Sequence, residues 1–150
     1  MSAHHQLLYH IVFSTKHRSP LLRDDVFRND TWRYMAGVVK NIDGFPLKIG
    51  GYYDHAHLLV NIAAKISVSE FVGKLKANTS KHTNQQNQRK QKFGWQDGYG
   101  AFTVSPSNKI SVAQYIANQV EHHRQRSFKE EFLRLLEKHE IEFYPKYIWE

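Results

Sequence analysis

The chain has 150 residues, enough for one domain with its own core, and 41% of them are hydrophobic, an ordinary share for a globular protein. It contains no cysteine, which excludes disulfides, thiolate metal sites and cysteine nucleophiles together. No long apolar run or signal-peptide pattern is present, so no membrane span and a cytoplasmic location are expected; the formal charge of +7 favours a polyanionic partner.

Residues 7–15 are rich in β-branched and aromatic side chains and read as a strand, followed by a basic, proline-containing loop over 16–22. Trp32, Met35, Ala36, Val39 and Ile42 recur at helical spacing behind the candidate caps Asp24 and Asp25, and this helix ends near Asp43-Gly44. Residues 47–53 and 55–62 are two further strands, close enough in sequence to form a hairpin. Ser67 and Glu70 have capping-box spacing ahead of Phe71, Val72 and Leu75, so a second helix starts at Ser67 and loses its apolar face after Ala77. A polar, low-complexity segment over 84–92 then leads to a fourth strand at 99–105. Two more capping boxes, Ser111 to Gln114 and Ser127 to Glu130, each open a helix. The first buries Val112, Ala113, Ile116 and Val120; the second repeats Phe128, Phe132, Leu135 and Leu136. The aromatic tail over 143–150 is expected to dock on the domain or on a ligand.

Strand, helix, strand, strand, helix, strand is the split β-α-β order. The expectation is therefore an α+β, ferredoxin-like domain over 1–150 with an antiparallel sheet and a C-terminal helical extension. In that topology helices cover one sheet face and leave the other free to carry function.

Within the third strand, alternation puts Ala56, Leu58, Val60 and Ile62 on one face and His55, His57 and Leu59 on the other. Two imidazoles side by side suit a divalent transition metal, although two polar residues on a half-exposed strand would look the same, and a third ligand is needed. Tyr115 and Gln119, at i and i+4, project from one side of a helix. A phenol is a poor nucleophile when neutral, and a nearby cation favours its phenolate. Alone, Tyr115 is more often a packed aromatic at the edge of a core, and Gln119 more often a surface amide. His122 and His123, one turn further on, read as polar or phosphate-facing residues.

Between Phe71 and Gln96 there is no acidic residue, while Lys74, Lys76, Lys81, Arg89, Lys90 and Lys92 all lie there. Such a stretch can follow a phosphate backbone or be a solvated helix face and loop. Lys16 and Arg18 in the first loop are further phosphate-binding candidates. Trp95, Tyr99, Phe102 and Trp149 are aromatics for base stacking, or else core and tail residues.

Asp54-His-Ala-His-Leu-Leu-Val, Ser69-Glu-Phe-Val-Gly-Lys-Leu-Lys, Phe93-Gly-Trp-Gln-Asp-Gly-Tyr-Gly-Ala-Phe and Tyr115-Ile-Ala-Asn-Gln occur in that order. Together they resemble the single-tyrosine HUH transposases of bacterial insertion sequences, the IS200-like group with its REP-associated relatives. The likeness extends over nearly the whole chain, and the alanine between the histidines keeps the pattern apolar. It implies that His55, His57 and Gln119 bind a divalent ion, magnesium or manganese, with positions left open for water and the scissile phosphate. It further implies that Tyr115 attacks single-stranded DNA at hairpin-flanked ends, giving a 5′-phosphotyrosine and a free 3′-hydroxyl that can rejoin strands. The family is commonly dimeric, so a homodimer is expected in which the Tyr115 helix acts in trans; REP-associated relatives leave assembly in cis open. Two other classes stand beside this reading: a domesticated hairpin-binding module without strand transfer, and a metal-independent phosphoesterase using paired histidines. The latter would need two separate histidine motifs, and the chain has one pair.

Overall fold

A computed structural model describes residues 1–86 and 91–149, so Arg89 and Lys90 of the basic stretch lie outside the described residues. The elements are β1 (Leu8–Ser14), α1 (Asp25–Asn41), β2 (Phe45–Gly51), β3 (His55–Asn61), α2 (Val68–Gln86), β4 (Gly100–Thr103), α3 (Lys109–Ala117), the single turn α4 (Gln119–His122) and α5 (Phe128–Lys138). All strand pairs are antiparallel, in the order β2-β3-β1-β4, as the split β-α-β pattern requires. Among the described residues no helix is long and apolar enough to cross a membrane.

Local chemistry sets most boundaries. Asp24 Oδ2 accepts from the backbone N–H of Phe27 at 2.8 Å and starts α1. Ser67 Oγ accepts from Glu70 N–H at 3.1 Å, and Ser127 Oγ from Glu130 N–H at 3.2 Å, so two of the three expected capping serines cap α2 and α5. Ser111 does not: it lies inside α3 and its hydroxyl donates to Asn108 O. A 3-10 turn at Pro106–Asn108 already sets helical geometry, and α3 starts three residues earlier than a capping Ser111 suggests. α2 also continues beyond Ala77 to Gln86, with Thr79 and Thr83 buried in place of apolar residues.

The first core lies between the sheet and α1 and α2. It joins Ile11 and Phe13 of β1 and Ala56, Leu58 and Val60 of β3 to Trp32, Met35, Val39, Phe71, Val72 and Leu75. The expectation that the opposite face is free fails. Val12 and Phe102 pack there against Phe128, Leu135 and Leu136 of α5, with Phe132, Phe143, Ile148 and Trp149 at the margin. The amphipathic α5 buries its apolar stripe on Val12 and Phe102, so the C-terminal extension folds back over the sheet. The tail thus docks on the domain: the Trp149 ring lies 5.9 Å from that of Phe132, and the Arg18 and Lys129 cations lie over it.

One cross-strand row explains how helices reach this second face. Strand register aligns Gly50, His57, Val12 and Gly100 side by side. A Cβ on Gly50 would meet Ile116 of α3 at 3.0 Å, and one on Gly100 would meet the Phe132 ring of α5 at 2.7 Å. Bare backbone at both ends of the row therefore lets α3 and α5 settle onto the sheet on either side of His57.

Candidate active site

His55 and His57 do share one face, but neither is half-exposed; both are completely buried beneath α3, α4 and α5. Asp54 Oδ1 accepts from His55 Nδ1 at 2.7 Å, and His57 Nδ1 shares a 2.8 Å hydrogen bond with Nε2 of buried His10. Each Nδ1 is thus occupied from behind, and both Nε2 atoms turn toward the same interior point. This back-side bonding orients imidazoles that present the opposite nitrogen to a cation.

Tyr115 and Gln119 approach that point from above. The expected continuous helix is broken at Asn118, whose φ of −97° and ψ of 16° end α3 and begin α4. The break leaves Val120 at the surface, not in the anticipated stripe, and buries Gln119 completely. Gln119 Oε1 then lies 3.0 Å from His55 Nε2. His123 corrects the sequence reading more sharply. It is buried, and its Nε2 is 2.9 Å from Gln119 Oε1, while Nδ1 donates to Arg126 O at 2.6 Å. His122 is half-buried at the margin, 3.4 Å from Glu131.

Sequence reasoning missed Glu131 altogether. The residue is 2% exposed, on the inner face of α5 between Phe128 and Leu135. Its Oε1 accepts from His57 Nε2 at 2.9 Å; its Oε2 accepts from Gln119 Nε2 at 3.1 Å and from the Tyr115 hydroxyl. A carboxylate is not buried without strong partners, and here six side chains supply them: His55, His57, Tyr115, Gln119, His122 and His123. The available signal was a glutamate one turn from Phe128 and Leu135 within an apolar stripe. His10 likewise sat within an otherwise apolar strand.

The charges follow from this packing. Burial favours the neutral ring of His55, but the Asp54 and Glu131 carboxylates outweigh it and raise that imidazole to about 9. Burial, reinforced by the neighbouring His55 and His123, lowers His57 to about 4 even though it also touches Glu131. Burial also lowers His10 well below the ordinary histidine range. Burial acts to raise Glu131, yet its histidine hydrogen bonds hold the carboxyl far below the carboxylate range. Burial and then the Glu131 charge push the Tyr115 phenol well above its ordinary value. Ligand nitrogens and oxygens of His55, His57, His123 and Glu131 all lie within 4.8 Å of one another, a donor set suited to a divalent ion. Glu131 adds an ionised carboxylate to the imidazoles and amide, and the His55 imidazole that it helps to keep protonated balances its charge in the absence of a cation.

The chain matches the model of the IS200-like transposases over residues 3–119. It belongs to that family. It is 30% identical over 123 residues to the transposase for insertion sequence element IS200 of Salmonella typhimurium, with 75% of this chain and 76% of the relative covered. The corresponding transposase of Salmonella typhi matches to the same extent. Two solved structures share the fold. A Deinococcus radiodurans protein assigned as a transposase superposes with a TM-score of 0.61 at 22% identity, covering 80% of this chain and 95% of that one. A REP-associated tyrosine transposase bound to a REP hairpin gives 0.58 at 13% identity, covering 82% and 74%.

The expected DNA-contacting residues are dispersed. Lys16, Lys74 and Lys81 are exposed, with Lys74 3.2 Å from Glu70. Arg18 is half-buried against Trp149. Lys76 donates to Gln96 O at 2.9 Å and also to Gly98 O, and burial lowers its ammonium to about 8. Trp95 stands edge-on to Phe13 and Phe93, with centroids 4.8 Å away in each case. Phe102 is core, and Tyr99 is partly exposed.

Proposed function

We propose that this transposase cleaves and rejoins single-stranded DNA by attack of Tyr115 on a phosphodiester at hairpin-flanked ends. The observation that carries the reading is convergence: His55 and His57 from one stretch and Tyr115 and Gln119 from another all reach Glu131 or its immediate partners. A cavity of about 300 Å³ bordered by His10, Val104, Tyr115, Leu135, Lys138 and His139 gives a strand a route to the phenol from the β4 side.

In this mechanism the Tyr115 oxygen forms a bond to phosphorus as the P–O3′ bond breaks, and the electron pair leaves with the 3′ oxygen, which takes a proton. The phenolic proton has an acceptor already in place in the Glu131 carboxylate. A divalent cation, when bound by His55, His57 and Gln119, polarises the phosphoryl oxygen and stabilises developing charge. His10 and Asp54 keep the two imidazoles turned inward. The 5′-phosphotyrosine retains the ester bond, so an incoming 3′-hydroxyl reverses the step without ATP.

Lys16, Lys74 and Lys81 are proposed to hold hairpin phosphates. Lys76 and Trp95 border a groove with Ser69, Ser80 and Tyr99 that offers an aromatic edge to unpaired bases, and Arg18 lines the adjoining cavity, which shares Gln96, Gly98 and Tyr99 with it. The family resemblance carries a dimer with Tyr115 working in trans. Within one chain α3 already lies over its own histidines, which supports assembly in cis as a second reading. Mixing Tyr115→Phe with His57→Ala protein separates them, because only trans assembly restores activity to the mixture.

The decisive experiment incubates the protein with labelled single-stranded hairpin DNA from beside its gene and manganese or magnesium, then runs a denaturing gel. A cation-dependent covalent adduct, absent from Tyr115→Phe, is expected. Tight hairpin binding without any adduct would favour the domesticated binding module.

A further inference from the structure

We infer that the C-terminal extension supplies two additional metal ligands, Glu131 and His123, so that the cation site is a five-donor centre of three imidazoles, one amide and one carboxylate. This deepens the reading above and rests on it. Both residues lie beyond the stretch 3–119 that matches the family model.

The argument is geometric. Donors adjacent to one another around a cation held at about 2.1 Å are roughly 3.0–3.4 Å apart, from octahedral to tetrahedral angles. The observed separations fall in or beside that range. Glu131 Oε1 is 2.9 Å from His57 Nε2, 3.3 Å from His55 Nε2 and 3.2 Å from His123 Nε2. Gln119 Oε1 is 3.0 Å from His55 Nε2 and 2.9 Å from His123 Nε2. The separations by themselves are also those of hydrogen bonds; what singles out a shared cation is that three imidazole nitrogens, an amide oxygen and a carboxylate oxygen converge in one buried cluster, the histidine and carboxylate donors all within 4.8 Å of one another. Burial points the same way, since Gln119, His55 and His57 are fully buried and Glu131 nearly so. Their orientation is fixed from outside: His123 Nδ1 by Arg126 O, His55 Nδ1 by Asp54 and His57 Nδ1 by His10.

The donor set also has a selectivity. Three imidazoles favour borderline ions such as Mn²⁺, Co²⁺ and Zn²⁺ over Mg²⁺, which prefers oxygen and keeps its water. The carboxylate removes one unit of the cation's charge, and Oε2 of the same group holds Tyr115, so one residue of α5 sets both the cation and the nucleophile.

Loading the full chain with Co²⁺ or Cu²⁺ tests this without reference to DNA cleavage. Nitrogen superhyperfine structure in the Cu²⁺ resonance of the wild-type protein should report three imidazoles, and Co²⁺ affinity should exceed Mg²⁺ affinity at least tenfold. Glu131→Gln, nearly isosteric, and His123→Ala should each weaken Co²⁺ binding by roughly tenfold or more and alter its visible spectrum. Two imidazoles in the wild-type spectrum, with unchanged Co²⁺ affinity in both variants, would overturn the five-donor centre and leave the His55, His57 and Gln119 site standing. A wild-type protein that takes up no cation would overturn both.

Discussion

The Tyr115 hydroxyl donates to Oε2 of Glu131, while Oε1 of the same carboxylate lies 2.9 Å from His57 Nε2. One side chain from α5 therefore ties the candidate nucleophile to the candidate metal site. Replacing Tyr115 with Phe removes the nucleophilic oxygen and one hydrogen bond but leaves Glu131 its histidine and Gln119 partners. We expect complete loss of the covalent DNA adduct on a denaturing gel, with a stability loss of only about 1 kcal/mol by urea unfolding. An adduct that persists in Tyr115→Phe would place the nucleophile elsewhere.

Gly50 is where α3 rests on β2, opposite His57 in the strand register. A valine there must push Ile116 outward and carry Tyr115 and Gln119 away from the histidines. Gly50→Val is expected to remain folded by circular dichroism and to lose at least about 100-fold in adduct formation, since a misplacement near 1 Å is that costly. Wild-type cleavage rates in this variant would contradict the assigned docking.

Cation binding confined to the native cluster must stabilise the fold. At a concentration 100 times its Kd, Mn²⁺ should add about 2.7 kcal/mol to unfolding, and chelation should remove it. His57→Ala, already destabilised by the partners it leaves for His10 and Glu131, should gain clearly less from the same Mn²⁺ concentration. Calorimetric melting with and without chelator checks both statements.

The lysines of α2 divide into two classes. Alanine at exposed Lys74 or Lys81 should weaken hairpin binding across sequences and reduce the salt slope by about 1 each, measured by fluorescence anisotropy. Lys76 is instead bonded to the carbonyls of Gln96 and Gly98. Its ammonium lies near 8 in the folded chain against 10.5 ordinarily, because burial disfavours the charge. Between those values the unfolded chain binds more protons, so this group's contribution to stability increases as pH rises from about 8 to about 10.5. The stability difference between wild type and Lys76→Met should grow in favour of wild type over that window. A flat difference would show that the ammonium is solvated.

The sheet and its helices were legible because their signals are local. Alternation in 55–62, capping at Asp24, Ser67 and Ser127, and the stripe of α5 each follow from a few neighbouring residues. The paired histidines and the Tyr115 and Gln119 spacing were legible for the same reason. Glu131, His10 and His123 were not. A glutamate in an apolar stripe and a histidine in an apolar strand acquire meaning only from what lies across the sheet, at separations of 74 residues for His57 with Glu131 and 47 for His10 with His57.

The sequence by itself determined the order of elements, the hydrophobic face on which α1 and α2 pack, and two of the imidazoles that the sheet presents together. Tertiary structure decided that the second face is covered and that α3 breaks at Asn118. It also decided that a carboxylate from the extension stands among the imidazoles. Strand and helix periods are properties of adjacent residues, whereas the position of α5 depends on burying its apolar stripe against Val12 and Phe102 while bringing Glu131 to its histidine partners.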